Sequence, residues 1–282
     1  MAIEPDTLAV GLTLPQYRVR AKPPAEPHEN KIHDEEVARQ LGFKAALVPG
    51  VNVYAWMTRP VVEALGAEWL ERGSFSVRFA RPIYYGEEAT VTGGVSARTD
   101  DSVTIEASAL NSAGEVCATA TFGLSSGVPV NAPDLSAYPR APLPAERPPV
   151  SRELLAGLSV LGTPELDLDK ATALGFLVRF SESLPIYSAA SAPAHPAIYL
   201  DQANRAVDRN VRVSPWIHVE SHGEHLSVAR VGERLATRAK IARLWERKGH
   251  EFVELDLLLV ASGSRPVASI RHTAIYTLRQ AA

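Results

Sequence analysis

The sequence predicts an α+β protein built twice over, with two antiparallel sheets each wrapped around one long buried helix. Three observations carry that reading. The stretch VPGVNVYAWMTRPVVEAL is long enough for a helix and apolar on nearly every side, so it belongs inside. β-branched or alternating runs follow it, broken by turn signals, as antiparallel strands require. The same order then returns in the second half of the 282-residue chain.

Taken in order, the first long helix is expected to start after Gly50 and to end at Gly66, with Tyr54 and Trp56 in the core. Strands are expected within FSVRFARPIYYGEEATVTGGVSA, SVTIEASALN and EVCATATFGL, with turns at Asp100–Asp101 and from Asn111 to Gly114. The Thr92–Gly94 TGG reads as a bulge inside a strand rather than a phosphate loop. HPAIYLDQANRAVDRNV takes the helix place in the second half. WIHVESHGEHLSVARVGERLATRAKIARL, HEFVELDLLLVAS and RPVASIRHTAIYTL take the strand places. Two landmarks set the repeat. Gly86 in YYGEEATV falls on Gly232 in RVGERLAT, a shift of 146, and the helix starts Gly50 and Ala197 differ by 147. One half alone leaves a sheet edge and part of its helix bare, and pairing the halves covers both.

Between the halves, residues 125–150 hold seven of the 21 prolines. Such a stretch cannot sustain a helix and lacks the donors of a central strand, so it reads as a linker over the surface. The expected organisation is an N-terminal domain over 1–124, the linker over 125–150 and a C-terminal domain over 151–282.

Composition narrows the function classes. The 29 basic and 32 acidic side chains leave a net charge of −3 without long runs of one sign, which argues against nucleic acid or an anionic membrane as partner. Apolar runs such as LDLLLVA are too short to span a bilayer, and MAIEPDTLAV has acids and a proline where a secretory signal carries a basic start. A cytoplasmic protein is the expectation. The single cysteine, Cys117, excludes an internal disulfide and a cysteine-based zinc cage, and it has no activating neighbour in sequence.

The most informative stretch is PHENKIHDEEVARQLGFKAALVPG, with His28 and His33 set around Asn30 before a short charged helix. His33 followed by DEE suits a helix start, the acids complementing the helix dipole. The ordered set Asn30, Ile32, His33, Ala38, Gly42, Phe43 and Gly50 goes further. It resembles the MaoC-like acyl dehydratases and (R)-specific enoyl-CoA hydratases, whose motif reads Asp-x-Asn-Pro-(Ile/Leu)-His, then a short helix with an Ala, then a Gly opening the long helix. That resemblance implies the double hotdog fold, with one site at the seam between halves. It implies hydration or dehydration of a 2-enoyl or 3-hydroxyacyl thioester. The partner would be an acyl-CoA or an acyl carrier protein thioester, with no metal or redox cofactor needed. His33 would be the principal acid/base, Asn30 an orienting group for the His33 ring or the thioester carbonyl, and the Gly50 amide the oxyanion donor. Three positions depart from the pattern. His28 stands where the family has its catalytic Asp, Lys31 stands for the Pro, and Pro49 for a frequent His. The position shifted from His33 lies near Arg179, so the second half would shape the tunnel without supplying a dyad.

The chemistry is consistent with those residue types. Hydration needs a base for water, an acid at C2 and a donor for the enolate oxygen. His33 can serve as base or acid at its ordinary pKa of ~6.5. The amide of a glycine in a first helical turn is a free donor that substrate can approach closely. Two neighbouring histidines titrate as a unit, which can leave one acid and one base. Thioester hydrolysis and non-catalytic thioester binding are the alternatives; for hydrolysis, the candidate carboxylate is Glu63, near the first helix's end. His218, His222 and His225 are a loose cluster that reads as a strand end and turn with partly wet rings rather than a metal site. His195 reads as a helix-entry residue, Trp216 as seam packing and His250 as exposed. The two halves can satisfy one another in a monomer, or outer edges can pair into a homodimer.

Overall fold

The computed structural model describes residues 8–24, 28–126 and 132–279. In the first half the elements run β1 (Tyr17–Arg20), α1 (Glu35–Gln40), α2 (Gly50–Arg72), β2 (Ser74–Phe79), β3 (Glu88–Thr99), β4 (Ser102–Leu110) and β5 (Val116–Ser125). The second half contributes α3 (Arg152–Gly157), β6 (Glu165–Asp167), α4 (Lys170–Phe180), α5 (Ala197–Asp208), β7 (Ile217–His225), β8 (Arg234–Arg247), β9 (His250–Ala261) and β10 (Arg265–Thr277).

All ten strands belong to one sheet, in the order β1-β3-β4-β5-β2-β7-β10-β9-β8-β6. The two expected sheets are joined edge to edge into this one. β2 and β7 are the inner edges of the two halves, and they pair antiparallel from Ser74↔Glu224 to Arg78↔Glu220. Joining them satisfies two rows of backbone donors and acceptors that separate sheets would leave bare.

The repeat seen in the sequence recurs in the hydrogen bonding. Val48 N–H donates to Ile83 O at 2.8 Å and Ala194 N–H donates to Ala229 O at 2.7 Å. The isolated bridges Leu47↔Tyr84 and Pro193↔Arg230 are again 146 apart. Gly86 and Gly232 both take positive φ, 87° and 99°, the left-handed turn conformation that glycine adopts freely.

Helix α2 is buried along most of its length, as its apolar surface demands. The expected end at Gly66 is a kink: Gly66 takes φ 65° and ψ −154°, and helical turns resume to Arg72. α5 starts at Ala197, as expected. Trp69 from α2 lies edge-on to Phe122 at 5.5 Å and against His225 of the other half at 4.8 Å, so one apolar core runs through the seam. Thr92–Gly94 form no bulge; the register shift comes just beyond, between Val95 and Ala97. The glycines serve close approach instead, since a Cβ on Gly94 would stand 2.9 Å from Leu12 O.

Part of the proline-rich stretch, 127–131, lies outside the described residues. Beyond it Tyr138 is buried against Leu258 and Val260, and its hydroxyl donates to Asp256 at 2.8 Å. The connecting segment is therefore anchored on β9. Among the described residues no helix is long and apolar enough to cross a membrane.

Candidate active site

Local capping builds the histidine segment. Asn30 caps a single 3-10 turn, Lys31–His33, and Asp34 caps α1 by accepting from Glu36 N–H at 3.1 Å and Val37 N–H at 3.2 Å. Ile32 and Ala38 are buried with Leu47 in a small apolar cluster, which pins the turn that carries His33. His33 Nδ1 lies 2.8 Å from Leu47 O. A carbonyl only accepts, so Nδ1 holds the ring proton and Nε2 keeps its lone pair.

The His28 and His33 ring centroids are 4.8 Å apart. Burial lowers His33 to about 3; the neighbouring His28 and Arg179 lower it further and the Leu47 carbonyl works the other way. Burial, then Arg179, brings His28 to about 4, with Asp201 opposing and Arg205 adding a smaller lowering. Both rings are neutral near pH 7. Tyr85, pushed up to about 12 by burial, keeps its proton and stands 3.5 Å from His28 Nε2.

Gly50 is the first residue of α2, where no side chain caps the helix. First-turn amides lack an intrahelical acceptor, so its N–H is a free donor by geometry. A Cβ there would stand 3.2 Å from the Phe79 ring, tighter than ordinary contact. His28, His33 and Gly50 open onto one cavity of about 710 Å³ at the seam, together with Arg179, Asp201 and His218 of the second half.

Asn30 lines the cavity, yet its amide is engaged elsewhere. Nδ2 donates to Trp216 O at 2.8 Å, and Oδ1 accepts from Trp216 N–H at 3.2 Å and Ile32 N–H at 3.4 Å. The expected orienting role toward His33 therefore falls to the Leu47 carbonyl, and Asn30 staples the histidine turn to the second half. Trp216 meets it there, buried at the seam.

The second half contributes more than walls. Arg179, 146 residues after His33, donates to Asn52 Oδ1 at 3.0 Å and Asp201 Oδ1 at 2.7 Å. Asp201, Asn204, Arg205 and Asp208 follow helical spacing on α5 and all line the cavity. Burial raises Asp208 to about 6 against the pull of Arg205 and Arg209. The signal was present in DQANRAVD: a polar stripe at i, i+3, i+4 and i+7 on a helix expected to be buried marks a polar cavity. Glu63 does not line the cavity; it pairs with Arg59 at 3.6 Å.

The remaining histidines divide. His218, His222 and His225 do not converge. His218 and Ser221 share a 2.8 Å hydrogen bond, Ser221 and His272 one of 2.9 Å, His225 Nδ1 donates to Trp69 O, and His222 is exposed. They lie along one continuous strand, so the expected strand end and turn is corrected, and two of the three rings are buried. His195 Nδ1 accepts from Ala197 N–H at 3.2 Å, a helix-entry role. His250 is half-buried and lines the cavity rather than standing exposed. Cys117 lines it too, with burial pushing its thiol up.

No family model matches the sequence, and no curated protein matches it. Solved structures do. A candidate MaoC domain protein dehydratase from Chloroflexus aurantiacus matches with TM-score 0.68 over 98% of this chain and 97% of its own, at 12% identity. A conserved hypothetical protein from Mycobacterium tuberculosis with a double hotdog fold matches at TM-score 0.65 and 14% identity, covering 96% and 97%. An acyl-CoA thioesterase II from Mycobacterium marinum matches at TM-score 0.52 and 14% identity, covering 94% of each chain. At such identities the likeness establishes the fold, a double hotdog, and leaves the reaction to be argued from the site.

Proposed function

We propose that the chain hydrates 2-enoyl thioesters, and dehydrates 3-hydroxyacyl thioesters in reverse, in the manner of the MaoC-like dehydratases. The observation that carries this reading is the Leu47 carbonyl on His33 Nδ1, which leaves Nε2 as a lone pair facing the cavity that Gly50 borders. His33 Nε2 takes a proton from water as the oxygen adds to C3. The electrons move onto the thioester oxygen, where the Gly50 amide receives the charge. His33, now imidazolium, returns the proton to C2, so protons and charge balance within one cycle. Burial makes the imidazolium a strong acid for that second step and a weak base for the first. The enolate forming nearby offsets the weakness, since an adjacent negative charge favours the cation. Neutral His28, with the Tyr85 hydroxyl beside it, positions the water.

The test is conversion of crotonyl-CoA to 3-hydroxybutyryl-CoA. His33→Ala is expected to cost at least a hundredfold in kcat, the usual scale for a positioned acid/base. Activity unchanged by the substitution removes His33 from the mechanism.

One observation favours thioester hydrolysis as a second reading. Asp208, raised to about 6 on a long helix that borders the cavity, is poised as a general base near neutral pH. Release of free thiol from acyl-CoA, abolished by Asp208→Asn and retained in His33→Ala, would select hydrolysis. Saturable binding without either product would leave a non-catalytic binder.

A further inference from the structure

The cavity extends well beyond the histidines, along a row of side chains that crosses the sheet. Ile217 on β7 pairs with Ile275 on β10, which pairs with Phe252 on β9, and all three border the cavity. Ile217 packs with the cluster of Ile32 and Leu47, beside His33. At the far end the β8–β9 hairpin closes with Arg247↔His250, Glu246↔Glu251 and Trp245↔Phe252. Side chains alternate between faces, so Arg247, His250, Trp245 and Phe252 share one face, while Glu246 and Glu251 share the other. The hairpin thus sorts cations and aromatics toward the cavity and acids away. Arg247, Lys248 and His250 line the cavity, and among the described residues neither Arg247 nor Lys248 meets a carboxylate.

The turn itself is unusual. Lys248 and Gly249 take φ 55° and 77°, a two-residue turn whose first position favours Asn, Asp or Gly. A lysine there is sterically disfavoured. The tip is seated by His250 Nδ1, which accepts from Arg279 N–H at 3.1 Å.

We infer that this hairpin holds the phosphates of a coenzyme A thioester, which deepens the proposed function and rests on it for the position of the sulfur. From β7 to β8 there are three interstrand steps of ~4.8 Å, about 14 Å in all. The pantetheine arm has roughly thirteen bonds from sulfur to the first phosphorus, about 15 Å when extended at the per-bond reach of a peptide chain. A thioester at His33 therefore lays its arm along Ile217, Ile275 and Phe252 and delivers its phosphates to Arg247 and Lys248.

Titration calorimetry of the whole protein with CoA, 3′-dephospho-CoA and pantetheine tests the assignment. CoA is expected to bind at least tenfold more tightly than pantetheine, with dephospho-CoA between. The double variant Arg247→Gln, Lys248→Asn should remove most of that margin and leave pantetheine unchanged. Lys248→Asn alone should raise Tm, since Asn suits the turn, so weakened CoA binding there cannot be attributed to misfolding. Equal binding of CoA by wild type and double variant overturns the inference. So does a wild type with no preference for CoA over pantetheine, or turnover confined to carrier-protein thioesters. Tight, hairpin-dependent CoA binding without hydration of crotonyl-CoA would refute the proposed reaction alone. Hydration with KM unmoved in the double variant would refute this site alone.

Discussion

His33 Nδ1 donates to the carbonyl of Leu47 across 2.8 Å, so a backbone atom, not an acid, decides which ring nitrogen of His33 is available. With its pKa brought to about 3, the ring should stay in the Nδ1–H tautomer from pH 8 down to pH 5. Nitrogen-15 shifts of the His33 ring are expected to be flat across that range. A ring that titrates near 6.5 would contradict both its burial and the assigned tautomer.

Asn30 should prove structural before it proves catalytic. Its amide serves Trp216 N–H, Trp216 O and Ile32 N–H. Asn30→Ala strands part of that backbone, at a cost of about 2 kcal/mol. Denaturant titration should show this as a lower midpoint with an unchanged m-value. A variant of wild-type stability with lost activity would restore the orienting role.

Gly50→Ala should separate stability from turnover. Alanine favours helix over glycine, by less at a first helical position than in an interior, while its Cβ presses the Phe79 ring at 3.2 Å. The two effects nearly cancel in Tm. Activity is expected to fall about tenfold, because the added methyl stands where a thioester oxygen must reach the amide. Full activity in Gly50→Ala would move the oxyanion donor elsewhere.

Acid should destabilise the protein well above the carboxylate range. Burial lowers His28 and His225 to about 4, and His33 and His272 to about 3. Between those values and the unfolded ~6.5, the unfolded chain binds more protons, so stability rises with pH. It is fully present above ~6.5 and drains away as pH falls. For a wholly buried ring such as His272 the loss by pH 5 is about 2 kcal/mol. Tm should therefore drop steeply from pH 7 to 5, and His272→Gln should flatten the slope. A profile flat to pH 5 would mean that these rings are hydrated.

The fold was legible because its signals are local and repeated. An all-apolar helix, the turn glycines Gly86 and Gly232, and alternating strands each have a short-range cause. Which strands join the halves was not, because β2 and β7 look like any other strands and only their pairing makes them inner edges. His33 and Gly50, singled out by their order in the chain, both border the cavity. The partner of Asn30, Trp216, lies 186 residues away, where no short-range signal points to it. Asp201 and Asp208 belong to the polar stripe of DQANRAVD, which sets α5 apart from the nearly all-apolar α2.

The junction of β2 with β7 also bears on how the chain is made. When the first half leaves the ribosome, Ser74–Phe79 already pairs with β5 on one side. Its other side waits for a strand encoded about 140 residues downstream, seconds away at ordinary synthesis rates. During that interval the nascent protein presents an open, partly apolar edge, the template on which neighbouring chains pair wrongly. Yield in cells should thus depend on chaperone supply, and truncation anywhere before Ile217 should deposit the product in inclusion bodies.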